Sequence, residues 1–431
     1  MKLYLRTFGC RANQYDTEAV RAMALASGAE IVDAPDLADV ALFNSCAVTA
    51  EAEADLRQQV RRAARVNPRL RSVVMGCAAA LPQHGRASAI LDLPSVTHAI
   101  AGADLDAVSR ALELEVRPRT QTAAQRGARA LLRIQDGCDE HCTFCATTLA
   151  RGRNRSRAIT DVVEEASVLS QHHSEIVLTG VHIGTYGADT GASLGELVER
   201  LIAAAPTVRF RLSSVEATEV DERLGILLTS APRHLAPYLH APLQSGSDRV
   251  LRRMGRHWYS AAEYARAVHT LVERSPVFGL GADVITGFPG ETDEDHRATR
   301  ELIESLPFTS LHVFPYSARP GTAAVRLPGS VPPVVARDRA RELRAIAETK
   351  AAVYRARRAG GVADVVVIRE GEDGEGLTED YLSVRLTEGR RGERFTARLA
   401  VDAGSLLATR GSELRTRTHD SRHTTRPSHE S

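Results

Sequence analysis

No stretch of this chain approaches the roughly 18 to 20 consecutive apolar residues that a membrane-spanning helix needs. Its opening, MKLYLRTFGC, also lacks the apolar run and small-residue cleavage site of a secretory signal. A soluble cytoplasmic protein with no membrane partner is the expectation. Charge of one sign is equally absent: Lys+Arg 55 against Asp+Glu 54 leaves a net charge of +1. No global basic field gathers nucleic acid, so any such partner must be met by local patches. Cysteine is sparse, six in 431 residues, which excludes a small disulfide-stapled scaffold. In a reducing compartment those six read as ligands, catalysts or core fillers.

What is there is an ordinary globular composition, 43% hydrophobic and 25% charged, ample for two or three cores. Short apolar runs alternate with amphipathic segments in the order KLYLRTFG, helical spacing over 15–26, DVALFN, helical spacing over 51–66, and SVVMG. This βαβαβ rhythm predicts an α/β fold with an N-terminal open parallel sheet, residues 1–120. Cys10, Cys46 and Cys77 each follow the end of one of the three strands. Ligands bind at the carboxyl ends of such strands, so three thiols should converge on one edge. Buried structural thiols are the bland alternative.

A polar, arginine-bearing stretch (Arg117, Arg119, Arg126, Arg129, Arg133) reads as a linker, with a boundary near 125. The rhythm then resumes with ALLRIQ, EIVLTG, VRFRLSS, LAPYLHAPL, FGLGADVITG and SLHVFPY, separated by helical spacings. Six βα units predict a partial (β/α)6 barrel over 125–360. Its last helix, 336–358, should show one face made of Leu343, Ile346, Ala347 and Val353. Short β segments split by turn residues follow and predict a small all-β barrel over 361–411. The tail, 412–431, rich in Arg, Thr, His and Ser, should be disordered.

In GCDEHCTFC, Cys138, Cys142 and Cys145 stand at C-x3-C-x2-C. That spacing lets one loop wrap three thiolates around an iron-sulfur cluster and leaves one iron open. A Cys3His zinc site using His141 is the alternative. With Phe144 before the third cysteine, and the loop at the end of the first strand of a partial barrel, the pattern resembles the radical S-adenosylmethionine (SAM) enzymes. The segments TFGCRANQYDTEA, NSCAVT, MGCAAA, GVHIGTYG, HAPLQSGSDRVLRRMGRHWYSAAEY, DVITGFPGETDEDH and HVFPYSARPGTAA resemble the methylthiotransferases within that superfamily. The GC-[KR]-x-NQY-[DE]-TE pattern is most similar to the branch acting on N6-threonylcarbamoyladenosine-37 of tRNA. It is less similar to those acting on isopentenyladenosine or on a ribosomal protein.

The resemblance implies two [4Fe-4S] clusters, one on Cys138, Cys142 and Cys145 and one on Cys10, Cys46 and Cys77, with S-adenosyl-L-methionine bound at the first. It implies methylthio insertion at adenine C2, an aromatic C–H that no side-chain base could deprotonate at neutral pH and that therefore calls for a radical. A TRAM-like role for the small barrel, a tRNA anticodon stem-loop as partner, and a reduced donor such as flavodoxin or ferredoxin are implied as well. Contacts to SAM are expected from Gly180 and the segment to Gly187, from Ser213, Ser214 and Glu216, from Gln244, Ser245 and Gly246, and from Asp283 and Gly287. All end successive barrel strands, and a turn or capping role is the alternative for each. GFPGET lacks the Lys-Ser/Thr ending of a phosphate loop.

Arg151, Arg153, Arg155 and Arg157 would lie near cofactor or substrate by the same resemblance, with solvated surface charge as the alternative. The loop departs from its relatives at Ala146-Thr147-Thr148, where they carry an apolar pair and a proline, which bears on how it packs against the cofactor. For RNA, the basic islands are Arg57, Arg61, Arg62, Arg65, Arg69 and Arg71, together with the linker arginines. The small barrel is net acidic, and only Arg385, Arg390, Arg391, Arg394 and Arg398 could form a basic face on it. A non-catalytic zinc-dependent RNA-binding protein is the reading from a different class.

Overall fold

The computed structural model describes residues 1–46, 50–80, 90–115, 125–402 and 405–410. The expected tail and the linker residues Arg117 and Arg119 lie outside them.

The first module alternates β1 (Lys2–Thr7), α1 (Arg11–Ala26), β2 (Glu30–Val32), β3 (Val40–Ser45), α2 (Ala50–Val66), β4 (Arg71–Gly76), α3 (Cys77–Ala80), β5 (Val96–Ala101) and α4 (Leu105–Ala111). The strands form one parallel sheet in the order β2-β1-β3-β4-β5. β3 is buried along its whole length, as a central strand covered on both faces must be. Leu42 and Met75 pack with Val20 and Met23 of α1 on one side, while Phe43 and Val74 pack with Leu56 and Val60 of α2 on the other. The expected three strands are present. β2 and β5 extend the sheet at its edges, where three residues, or a largely exposed VTHAIA, give too little alternation to read.

The second module runs β6 (Ala130–Arg133), β7 (Gln135–Asp136), α5 (Thr147–Arg151), β8 (Arg155–Ser156), α6 (Ile159–Leu169), β9 (Glu175–Thr179), α7 (Leu194–Ala204), β10 (Arg209–Leu212), α8 (Glu222–Ser230), β11 (Tyr238–His240), α9 (Asp248–Arg253), α10 (Ala261–Val272), β12 (Gly279–Thr286), α11 (Asp293–Ser305), β13 (Ser310–Pro315) and α12 (Pro333–Arg358). β6, β9 and β10 pair in parallel, as do β11, β12 and β13. Bridges Phe210–Leu235 and Ser214–His240 join the halves into the expected open six-stranded barrel. Leu343 and Ala347 of α12 are buried and Ile346 packs on the barrel core, but Val353 is 67% exposed. By that point the helix has run past the barrel, and Tyr354 and Arg358 turn to the third module instead.

That module is the expected small β-barrel, closed in the order β14 (Val362–Arg369), β15 (Gly374–Leu377), β16 (Ser383–Leu386), β18 (Ser405–Arg410) and β17 (Arg394–Asp402). It seals the floor of the larger barrel through an ionic knot. Glu175 is fully buried and accepts from Arg209 Nε at 2.6 Å and from Arg211 Nε at 2.9 Å. Arg209 Nη1 donates to Asp364 O (2.6 Å), and Arg211 Nη2 and Nη1 donate to Thr378 O (2.9 Å) and Glu379 O (3.1 Å) of the small barrel. The loop between β15 and β16 then pushes Tyr381 upward. Its ring stacks on Tyr238 at 4.4 Å, and its hydroxyl accepts from Arg11 Nη2 at 2.6 Å. Tyr381 sits at φ +71, a left-handed conformation that costs a non-glycine residue about 1–2 kcal/mol, which these contacts offset.

Burial alone would raise the Glu175 carboxyl, but Arg211 and Arg209 overcome it and hold it well below the usual carboxylate range. Stability from a lowered carboxylate is present above its unfolded value and is lost only as pH falls through the folded one. Glu175→Gln leaves the buried Arg211 without a counter-charge and Arg209 with Asp364 alone, and should cost about 3–5 kcal/mol. Urea titrations should show this loss undiminished at pH 5, shrinking only in strong acid.

Candidate active site

The first cysteine triad is assembled by three adjacent strand ends. Cys10 caps the start of α1, Cys46 directly follows β3, and Cys77 opens α3. Gly9, at φ +94, permits the approach: a Cβ there would fall 2.5 Å from Cys46 Cβ and 2.7 Å from its Sγ. Asn13 fixes the loops by donating to Phe8 O (3.0 Å) and Ser45 O (2.8 Å), while its Oδ1 accepts from the Cys10 thiol at 3.6 Å. Burial pushes the Cys77 thiol up to about 11, with Cys10 and Cys46 adding to the rise and Arg151 opposing it.

The second triad lies in the loop between β7 and α5. Gly137 at φ +73 lets the backbone pass Arg153 O, which a Cβ would meet at 1.8 Å. Thr143 anchors the loop to α9 through Met254 O (2.8 Å) and Arg253 O (2.9 Å). Phe144 packs edge-on to Phe288 within the cluster of Val250, Met254 and Ala324, so its visible role is to seat the loop. Each sulfur has a polar neighbour: His182 Nδ1 at 3.6 Å from Cys138, Arg256 Nη1 donating to Cys142 at 3.6 Å, and Thr147 N–H donating to Cys145 at 3.4 Å. The Cys145 thiol donates to Thr147 Oγ1 at 3.0 Å, so the Ala-Thr-Thr departure places a hydroxyl on a sulfur.

Beside this loop stands a charged network. His182 Nε2 lies 2.8 Å from Glu219 Oε1, and Glu216 pairs with Arg256 and accepts from Trp258 Nε1 at 2.5 Å. Burial works against a proton on His182, yet the hydrogen bonds with Cys138 and Glu219 raise it to about 10. His182, Glu219, Arg256 and Trp258 received no individual role from the sequence. His182, Arg256 and Trp258 lie within segments that the family resemblance picked out, and Glu219 lies three residues past Glu216.

The remaining expected cofactor contacts divide. Gly180 accommodates Gln135, whose Oε1 accepts from Val181 and His182 N–H at 3.0 and 2.9 Å. Ser213 and Ser214 lie just beyond the end of β10, and Gln244 (φ +64) bridges to β12. Ser245 and Gly246 pack on Thr299, and Gly287 packs on Ala336. Asp283 lies between two imidazoles, 3.1 Å from His240 Nε2 and 3.2 Å from His312 Nδ1.

Arg151 joins the two triads. Its side chain is 1% exposed and donates to Asp16 Oδ2 (2.8 Å) and Asn13 Oδ1 (2.7 Å) of the first module, and to Asp136 Oδ1 (3.0 Å), two residues before Cys138. It also hydrogen-bonds Cys77. Arg133 reaches Asp16 at 2.5 Å, and Arg157 reaches the buried Glu165 at 2.8 Å. The arginine run is therefore partly an intermodule tie, and only Arg153 and Arg155 are exposed. Arg126, Arg129 and Arg133, expected to contact RNA, pair instead with Asp33, Glu175 and Asp16.

Three thiols at each of two places suit clusters better than single ions. Zinc at about 2.3 Å from each sulfur holds thiolates within roughly 4 Å of one another. Among the described residues, the donor sets lying within 4.8 Å of each other are His240–Asp283–His312 and His182–Glu216–Glu219, and neither contains a cysteine or His141. The Cys77 and Cys142 thiols, raised by burial and by neighbouring cysteines, also fit a cationic centre that would bind them as thiolates.

Comparison with known proteins agrees with this geometry. Residues 2–97 match the family described as Uncharacterized protein family UPF0004, and residues 132–303 match the Radical SAM superfamily. The threonylcarbamoyladenosine tRNA methylthiotransferase MtaB of Aquifex aeolicus is 33% identical over 89% of this chain and 96% of its own. The tRNA-2-methylthio-N(6)-dimethylallyladenosine synthase of Acidithiobacillus ferrooxidans is 36% identical over 78% of this chain and 79% of its own. In fold, the chain resembles the radical S-adenosylmethionine methyltransferase TsrM of Kitasatospora setae, solved with cobalamin and a [4Fe-4S] cluster bound, with a TM-score of 0.55 at 14% identity over 75% of this chain and 76% of that one.

Arg151→Met removes the charge that Asp16 and Asp136 share and should destabilise the protein by about 3–5 kcal/mol. Limited proteolysis should then cut between the first two modules before either is degraded.

Proposed function

This chain belongs to the radical SAM tRNA methylthiotransferases, and from that premise we propose that it inserts a methylthio group at C2 of N6-threonylcarbamoyladenosine-37 in tRNA. The observation that carries the reading is the joining of two cysteine triads, from separate modules, through one buried arginine. The relative named for threonylcarbamoyladenosine from Aquifex aeolicus aligns over 96% of its length, which favours that substrate over dimethylallyladenosine or a ribosomal protein. The enzyme is a transferase carrying two [4Fe-4S] clusters and using S-adenosyl-L-methionine.

Cys138, Cys142 and Cys145 would hold one cluster, and Cys10, Cys46 and Cys77 the other. When bound, these groups and S-adenosyl-L-methionine supply the radical chemistry, the sulfur and the methyl group. The chain's own residues supply position and electrostatics. Arg256 places a buried positive charge on Cys142 and is itself balanced by Glu216, while Glu219 orients His182 toward Cys138. Ser213, Glu216, Gln244 and Gly180, with Phe144 behind the loop, remain the proposed surroundings of S-adenosyl-L-methionine. Asp283 is better placed on the substrate side, because both of its oxygens are engaged by histidines.

tRNA would be held through its anticodon stem-loop. Arg61, Arg62, Arg65 and Arg69 are exposed on and just after α2 and suit phosphate contacts. On the small barrel only part of the expected basic face is free for RNA. Arg390 and Arg391 are exposed, Arg385 pairs with Asp402, and Arg394 is committed to Asp364 at 2.5 Å. The target base must be splayed into the chamber, as loop bases can be. We retain 1–120, 125–360 and 361–411 as functional units, a flavodoxin or ferredoxin as donor, and the cytoplasm as the location. Among the described residues no helix is long and apolar enough to cross a membrane.

Nucleoside mass spectrometry of tRNA from a deletion strain tests the activity. The methylthio product should be absent and should return with the wild-type gene, and its persistence in the deletion would refute the assignment. Anaerobic reconstitution should load about eight irons per chain. In Gly9→Ala, where the new Cβ meets Cys46, iron should fall to about four while the cluster on Cys138, Cys142 and Cys145 remains visible by electron paramagnetic resonance.

A further inference from the structure

Resting on the reaction proposed above, we infer that Arg11, His240 and His312, with Asp283 between the two imidazoles, form the pocket for the free carboxylate of the threonyl group on the target base. Along β11, β12 and β13, Leu239, Leu280, Ala282, Val284 and Val313 pack into the apolar core beneath the helices. Strand alternation therefore turns His240, Gly281, Asp283 and His312 toward the lumen. One atom each of His240, Asp283 and His312 lies within 4.8 Å of the others. Gly281 makes the room, since a Cβ there would stand 2.8 Å from His240 Nδ1 and 2.4 Å from the Tyr238 hydroxyl.

Arg11 enters the same space from the first module. It follows Cys10, spends one donor on the Tyr381 hydroxyl at 2.6 Å, and stands near enough to His312 to act on its charge. Among the described residues no carboxylate pairs with Arg11. Asp283 is the one acid shared by the imidazoles, so Arg11 adds a positive charge that nothing in the pocket balances. His312 is 61% exposed and reachable from the chamber. Asp283 holds the two imidazoles in place and favours the protonated form of His312, and its own carboxyl lies well below the usual range despite burial.

A pocket with unbalanced positive charge and several N–H donors suits a carboxylate. The threonylcarbamoyl group carries one, and a dimethylallyl group carries none. The hydrocarbon tail would offer Arg11 and His312 no acceptor beyond Tyr381 and Asp283, which is how a polar site rejects an analogue lacking the expected group. Arg11 thus lies one residue from a cysteine of the first triad while reading the far end of the modified base.

The test uses the reconstituted holoenzyme and two anticodon stem-loop RNAs, one bearing threonylcarbamoyladenosine as the free acid and one as its methyl ester. Affinity is read by fluorescence anisotropy and product by mass spectrometry. Wild type should bind the acid roughly ten- to hundredfold more tightly than the ester. His312→Gln, distant in sequence from every cysteine, and Arg11→Met should each abolish most of that preference with iron content unchanged. Equal affinity of wild type for acid and ester, or a preference that survives in both variants, would overturn the pocket even if the acid RNA is methylthiolated. Preferential binding of the acid without any methylthio product would leave the pocket standing and remove the reaction.

Discussion

A guanidinium taken out of water is tolerated only where carboxylates meet it in good geometry, and Arg151 finds them in two different modules. Asp16 comes from helix α1 of the module that carries Cys10, Cys46 and Cys77, and Asp136 comes from the strand that leads into Cys138. The second module alone would offer Arg151 only Asp136, and the first module alone would lose this partner of the buried Asp16, so docking completes the pairing. Hydrogen bonds are directional where apolar contacts are not. The separation of the thiol triads is therefore set by ion-pair geometry, and Tyr15, Arg157 and Glu165 continue the same polar seam.

Much of this architecture was legible because its signals are local. Cysteines at strand ends, a C-x3-C-x2-C loop and six apolar runs at βα spacing depend on residues that are neighbours in sequence, and the two open α/β modules and the small closed barrel follow from them. The arginines were harder. Arg133, Arg151 and Arg394 find partners 117, 135 and 30 residues away, and no window on the sequence distinguishes a buried ion pair from a solvated charge. Runs that suggested RNA contacts therefore proved partly to be internal ties. Gly180 shows the converse: a residue expected at the cofactor is needed first to let Gln135 reach two backbone N–H groups.

The chamber is bounded by groups of differing function held at short range. His182, Glu216, Glu219 and Arg256 lie against the loop of the second triad, while His240, Asp283 and His312 occupy the neighbouring strands. Glycine is what permits this density. Gly184 leaves space for the Glu219 carboxylate and Gly281 for the His240 ring, so the polar walls approach each other without distorting the strands that bear them.

The seated Tyr381 loop has a consequence for how a large substrate is measured. Because Arg211, Tyr238 and Arg11 grip the segment around it while Arg209 holds β14 at Asp364, the small barrel cannot swing on a hinge to follow RNAs of different shape. It behaves as the rigid arm of a caliper whose other jaw is the chamber. An RNA gripped along that arm would present only the nucleotide lying at one set reach from its grip, so position along the strand would be selected by distance before any base is inspected.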